Sequence, residues 1–445
     1  MKYKGLLNNL KFELQQIDTA NIFNSFYYKK YLKIGTINSY RDLFVYLISN
    51  SKQSKINKNY LGVASSLNKL AKYVLKNNDL NILIKLNLQH LDIKSINKRK
   101  NLFLFNYARI DSLLSSNGDI KILEFNARRA QMFEDTDWLN YKLAKHFKNA
   151  NYISINSQIV KNIHSYLKSE SKDLNNIILL SDFKKNSKFS FKNELIKQFS
   201  NCNITHINYL SIIDFYKKLI LKNNGLYYKG KKIDAFILQS LGKGRKSFFT
   251  STGGINNSKI KQAYAKQLIQ IASPPSSLIF GRKQSLNLLQ IKKIQKILKL
   301  NKTEINAVKT LAKNVNTNFT NIKNFKNLVI KITGIGQGSG VFIGNKLTKK
   351  SFNILANYYH NNKYKIIVQK KITNKEVQIF FLKSKKFVKA IIQIEPFILP
   401  TKNNKFKIIG YSSRAILKKD IKNTEKFNPA FNNKKILFGN VITCK

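Results

Sequence analysis

Arg109, Asp111, Glu124 and Asn126 lie close together in ARIDSLLSSNGDIKILEFNA, residues 108–127, and have the means to hold a cation or a phosphate. Asn117-Gly118 between them is a strong signal for a two-residue hairpin turn, whose central positions both need positive φ. Folding about that dipeptide sets Asp111 opposite Glu124 and Arg109 opposite Asn126, on one face of the hairpin. Like charges so placed destabilise a sheet unless something neutralises them. A divalent cation would do so, because magnesium takes oxygen ligands from one or two carboxylates together with phosphates. Arg109 adds a planar fork suited to phosphate.

A second signal lies in VIKITGIGQGSGVFIG, residues 329–344. Gly334, Gly336, Gly338 and Gly340 stand between two apolar strands, with Lys331 just ahead of them. Glycines let backbone amides approach an anion closely, and a nearby lysine adds charge. No Gly-Lys-Ser/Thr ends the loop and a strand follows it, which excludes a Walker A loop and a dinucleotide fingerprint. Together the two stretches predict a bound nucleoside triphosphate with magnesium.

The elements that position these residues are read from pattern. Residues 1–100 space apolar side chains three and four apart, as in SYRDLFVYLIS, and predict a helical region. Residues 101–150 hold the hairpin and a helix at FEDTDWLNYKLAKHF. From 151 to 272 strands and helices alternate, NIILLSDF and NITHINYL being strands, which predicts a small open α/β sheet. ASPPSS marks a boundary. Residues 273–445 carry the glycine loop and a series of strands, an α+β ending.

The chain has 80 basic and 22 acidic residues, a formal net charge of +58. The excess is spread along the chain and comes mostly from lysine, the pattern that codon drift in an AT-rich genome produces. No zinc-finger spacing, arginine-rich arm or RNP-type aromatic pattern accompanies it. A nucleic-acid partner is therefore kept only as the alternative that charge allows. Cys202 and Cys444 form no metal or disulfide framework, and the five histidines lack metal spacing. Asp135 and Asp137 suit the start of a helix, and they are also candidates for a substrate amine. Without an apolar leader or a run of about 18 uncharged apolar residues, a soluble cytoplasmic protein with no membrane partner is expected.

ARID followed by KILEFNA resembles the metal-binding motif of the circularly permuted ATP-grasp enzymes typified by glutathionylspermidine synthase, in which the metal carboxylates precede the glycine loop. The resemblance implies an ATP-grasp fold of mixed α+β class, permuted, with a Rossmann-like pre-ATP-grasp subdomain at 151–272. It further implies that Asp111, Glu124 and Asn126 hold magnesium, that Arg109 contacts the transferring phosphate, and that Lys283 and Lys331 touch the nucleotide phosphates. The glycines would close over ATP, Gln369 would stand where adenine binds, and Arg414 in GYSSRA would face a phosphorylated intermediate. The implied activity is an ATP-dependent carboxylate–amine ligase acting through an acyl phosphate. Lys370, Ile332 and Arg128-Arg129 depart from the family's pattern, so its usual carboxylate and amine are not carried over. A noncatalytic ATP-grasp scaffold is the other alternative.

Overall fold

The structure, a computed structural model, describes residues 40–444 apart from 99–103, 128–132, 147–152, 172, 182–190, 240–246, 251, 316–324, 333–340, 362–365, 383–384, 402–404 and 419–435. Gly334, Gly336, Gly338, Gly340, Arg128 and Arg129 therefore lie outside the described residues, as do residues 1–39 of the expected helical region.

With strands numbered along the chain, the largest sheet runs β14 (Glu376–Phe381), β1 (Tyr40–Ser49), β17 (Ile436–Cys444), β16 (Phe406–Leu417), β15 (Lys386–Pro400), β2 (Ala108–Leu114), β3 (Ile120–Asn126). One edge of β15 is shared: Lys386–Ile391 pairs with β14, and Gln393–Ile398 pairs with β2. Since β14 also pairs with β1, five strands close on themselves and the β2–β3 hairpin continues outward.

The helical reading of residues 40–49 is corrected here, because this stretch is strand β1. Its LFVYLI run has neither helical nor alternating period, and such a run also suits a strand covered on both faces. Its neighbours β14 and β17 complete its hydrogen bonds on both edges. The helical pattern begins at Asn50, after Ser49 caps the helix Asn50–Asn77 by accepting from the Lys52 amide. Tyr60, Val63, Leu67, Leu70 and Val74 form its buried face. That helix packs on the helices Lys283–Leu289 and Lys302–Val308. The last contact is close enough that a Cβ on Gly62 would sit 2.5 Å from Ala307 Cβ. Lys283 thus begins a helix wedged into the core.

A second sheet, all parallel, runs β10 (Gln270–Ile271), β9 (Ala235–Leu238), β4 (Asn176–Ser181), β5 (Asn203–Asn208). The helices Ile155–Glu170 and Phe191–Gln198 share its apolar core. A small antiparallel sheet follows, β6 (Leu219–Lys222), β7 (Gly225–Tyr228), β8 (Lys231–Ile233), so the helix that begins at Ile212 ends at Lys217. The third small sheet, β12 (Val341–Ile343), β11 (Leu328–Ile332), β13 (Ile366–Lys370), carries Lys331 and Gln369 and has its own core around Ile330, Phe352 and Val368. Residues 310–315 tie this sheet to the hairpin: Thr310 and Ala312 bond Ile122 of β3, while Lys313 and Val315 bond β13. Among the described residues no helix is long and apolar enough to cross a membrane.

Candidate active site

Asp111 pairs with Glu124 and Arg109 with Asn126, although the turn is not the one expected. Of its two central residues only Gly118 has positive φ. The loop is Ser116-Asn117-Gly118, closed by the Ser115 amide donating to the Asp119 carbonyl at 2.9 Å. A bulge between Asp111 and Ser112, with Leu123 as the extra residue on β3, then restores the register. Longer loop and bulge cancel, so both acids reach the expected face.

Four adjacent strands place residues two apart on that face: Glu124 and Asn126 on β3, Arg109 and Asp111 on β2, Gln393 and Glu395 on β15, Ser412 and Arg414 on β16. Their charges form a closed ring. Arg109 Nε donates to Asp111 Oδ1 at 2.8 Å and lies 3.4 Å from Glu395 Oε2. Arg414 Nη2 donates to Asp111 Oδ2 at 3.3 Å, and the same guanidinium bonds Glu395 Oε1. Gln393 Nε2 donates to Glu395 Oε1 at 2.8 Å, and Ser412 Oγ to Glu395 Oε2 at 3.0 Å. Glu395 is fully buried, and Arg109, Asp111 and Arg414 are nearly so.

Beside the ring, Lys283 Nζ donates to Glu124 Oε1 at 2.5 Å. Lys331, on β11, lies near enough to act on the same acid through its charge. Burial works to raise the Glu124 pKa, but Lys283 and Lys331, helped by Arg109, outweigh it and hold the carboxyl well below its usual range. Burial pushes the Lys331 ammonium down to about 8, with Glu124 opposing and Lys283 reinforcing. Opposed carboxylates about 5 Å apart repel by about 3 kcal/mol at an effective dielectric of about 20, whereas each cation contact at about 4 Å returns about 4 kcal/mol. The facing acids are therefore neutralised by the chain's own cations.

Arg109, Asp111, Glu124, Lys283, Lys331 and Arg414 come together. Asn126 is half-buried opposite Arg109. Gln369 is buried on β13, where its amide donates to the Ala312 carbonyl at 3.4 Å and to Asn314 Oδ1 at 3.3 Å. Glu395 is the member that sequence reading missed, although an acid inside AIIQIEPFILP is a signal, since a charge buried in an apolar strand needs a partner. Asp111 and Glu124 offer oxygen ligands of the kind magnesium uses when phosphates complete its shell. Among the described residues no group of three or more His, Cys, Asp or Glu side chains gathers into a metal cage.

Asp137 and Glu134 of helix Phe133–His146 serve the architecture. Asp137 accepts from Ser154 Oγ at 2.6 Å and from the amides of Ile155 and Asn156 at 2.6 and 2.9 Å, holding the start of helix Ile155–Glu170. Glu134 accepts from the Phe191 amide at 2.5 Å, at the start of the next helix. A separate cleft of about 490 Å³ lies at the hairpin tip, lined by Lys121, Lys309, Lys313, Lys370 and Lys371 among others, and includes no member of the charged cluster.

Fold and site together define an α+β protein with a buried, mixed-charge cluster on a sheet face. No family model matches the chain, and no curated protein matches it. Among solved structures it is similar to a glutathione synthetase-like effector from Globodera pallida, solved in the apo form, with a TM-score of 0.53, 12% identity and 88% of each chain covered. At that identity the likeness is one of fold: the chain has an α+β fold resembling this glutathione synthetase-like structure. The comparison does not extend to the permuted glutathionylspermidine synthase-like family.

Proposed function

We propose that the protein is an ATP- and magnesium-dependent carboxylate–amine ligase built on a circularly permuted ATP-grasp fold. The observation that carries the reading is the convergence of four cations, Arg109, Arg414, Lys283 and Lys331, around three acids, Asp111, Glu124 and Glu395, from two different sheets and a helix. With Lys331 charged, the cluster has one positive charge in excess, which favours an anion. The fold likeness to a protein described as glutathione synthetase-like supports a ligase-type reading.

In this reading Asp111, Glu124 and Asn126 would hold magnesium, Lys283 and Lys331 the nucleotide phosphates, and Arg109 and Arg414 the oxygens that gain charge as a carboxylate approaches. Gln369 would stand at the base, and Gly334, Gly336, Gly338 and Gly340 would cover the phosphates. Bound ATP supplies the phosphoryl group that activates the carboxylate, and the fixed cations offset the repulsion between the two anions. The partners are a small-molecule or peptide carboxylate and an amine, and the setting is cytoplasmic.

A noncatalytic scaffold is the second reading. It is favoured by the fact that each acid of the cluster already has a cation of this chain against it. A panel of carboxylates and amines with ADP detection separates the two readings. ADP release that Asp111→Ala and Glu124→Ala abolish supports the ligase; no release from any pair, or release that survives both changes, contradicts it.

A further inference from the structure

Both arginines of the ring touch both of its acids, yet the two acids are held very differently. Glu395 is fully buried, with Gln393 and Ser412 fixing its oxygens as well as the arginines. Asp111 lies beside the more open edge of the cluster, paired across the hairpin with Glu124, whose side chain is 26% exposed. Both of its oxygens accept from Arg109, at 2.8 and 3.1 Å, and Oδ2 also accepts from Arg414 at 3.3 Å. The oxygens that Asp111 would offer to a cation are thus the ones the arginines occupy, and an arginine turned toward Asp111 is not turned toward a phosphate.

We propose that Glu395 is a positioning residue that retains Arg109 and Arg414 while they exchange Asp111 for the phosphate of an incoming magnesium–nucleotide complex. An acid with no exposed surface cannot be reached by a ligand, so its hold on the arginines persists when Asp111 lets go. Asp111 then turns to the cation and the arginines to the anion, so the buried charges stay paired before and after. Without the Glu395 charge the arginines settle more firmly on Asp111, and the cation loses a ligand. This inference rests on the nucleotide site proposed above.

The test is calorimetric titration of ATP, with and without magnesium, into the full chain and into Glu395→Gln and Ser412→Ala, with circular dichroism to check folding. For the unaltered chain magnesium tightens ATP binding. In Glu395→Gln that gain shrinks about tenfold, as when a buried charge partner is removed, while magnesium-free ATP binds as tightly or more tightly because the cluster as a whole has lost a negative charge and Lys283 and Lys331 still meet the phosphates. Ser412→Ala, which frees one Glu395 oxygen, shrinks the gain about threefold. A merely structural role would weaken binding equally with and without magnesium, and that result, or an unchanged magnesium gain in both variants, overturns the proposal. If Glu395→Gln does not fold, Ser412→Ala decides alone. Failure of the unaltered chain to bind ATP would instead overturn the proposed function, and this inference with it.

Discussion

Glu124 and Glu134 are the same residue type, and both are largely withdrawn from water, yet their surroundings drive them apart. Burial pushes Glu134 up to about 8, since its partners, the Phe191 amide and Gln239, are neutral donors. Glu124 meets Lys283 and Lys331, which outweigh burial and keep it ionised. The contrast separates architecture from chemistry. An acid satisfied by a helix start is fixed to the backbone, whereas one satisfied by cationic side chains can exchange them for a ligand.

The largest effect that probes this contrast is one of pH. Glu134 has a folded-state pKa above its ordinary 4.5, so the folded state holds the proton more tightly. Its contribution to stability is complete below about pH 4.5 and is lost as pH rises toward about 8, by up to about 4 kcal/mol. Denaturant melts across that range show the loss in the unaltered chain and a flatter profile in Glu134→Gln. Below about pH 4.5 the same amide, resembling the protonated acid, changes stability by less than about 1 kcal/mol, and at pH 7 it makes the chain more stable by about 3 kcal/mol because it has no proton to lose on unfolding. Glu124→Gln at pH 7 instead leaves Lys283 and Lys331 facing one another and costs about 3 kcal/mol. Equal costs for the two amides would erase the distinction.

A smaller effect concerns the ligand. Because Lys331 loses its proton near pH 8, ATP affinity falls by about tenfold between pH 7 and 9, and Lys331→Met flattens that dependence. The smallest effect is expected at the lysine-lined cleft by the hairpin tip, where Lys370→Glu with Lys371→Glu changes ATP affinity less than about twofold. A steep salt dependence of RNA or DNA binding, lost in that double variant, would favour the nucleic-acid alternative.

The hairpin was legible because alternation fixes which side chains share a face: Arg109 with Asp111, and Glu124 with Asn126, follow from spacing alone. Even there the turn was misread, since Gly118 takes positive φ and Asn117 does not, and the Leu123 bulge restored a register that the turn residues could not reveal. Lys283 and Arg414 were readable through family resemblance only, for no local pattern says that a helix start and a distant strand meet Glu124 and Asp111. Glu395 gave its signal as a charge in an apolar strand, but its partners lie on two other strands. Tyr40–Ser49 was lost to the helical reading because a short apolar run carries no period, and its β identity comes from β14 and β17, both far along the chain.

Titration of ATP into the unaltered chain and into Asp111→Asn, each with and without magnesium, tests most directly whether the charged cluster is a magnesium–nucleotide site. The account predicts that magnesium tightens ATP binding to the unaltered chain and that Asp111→Asn removes this gain while ATP alone still binds. Affinity indifferent to magnesium in the unaltered chain, or a magnesium gain that survives in Asp111→Asn, would contradict it.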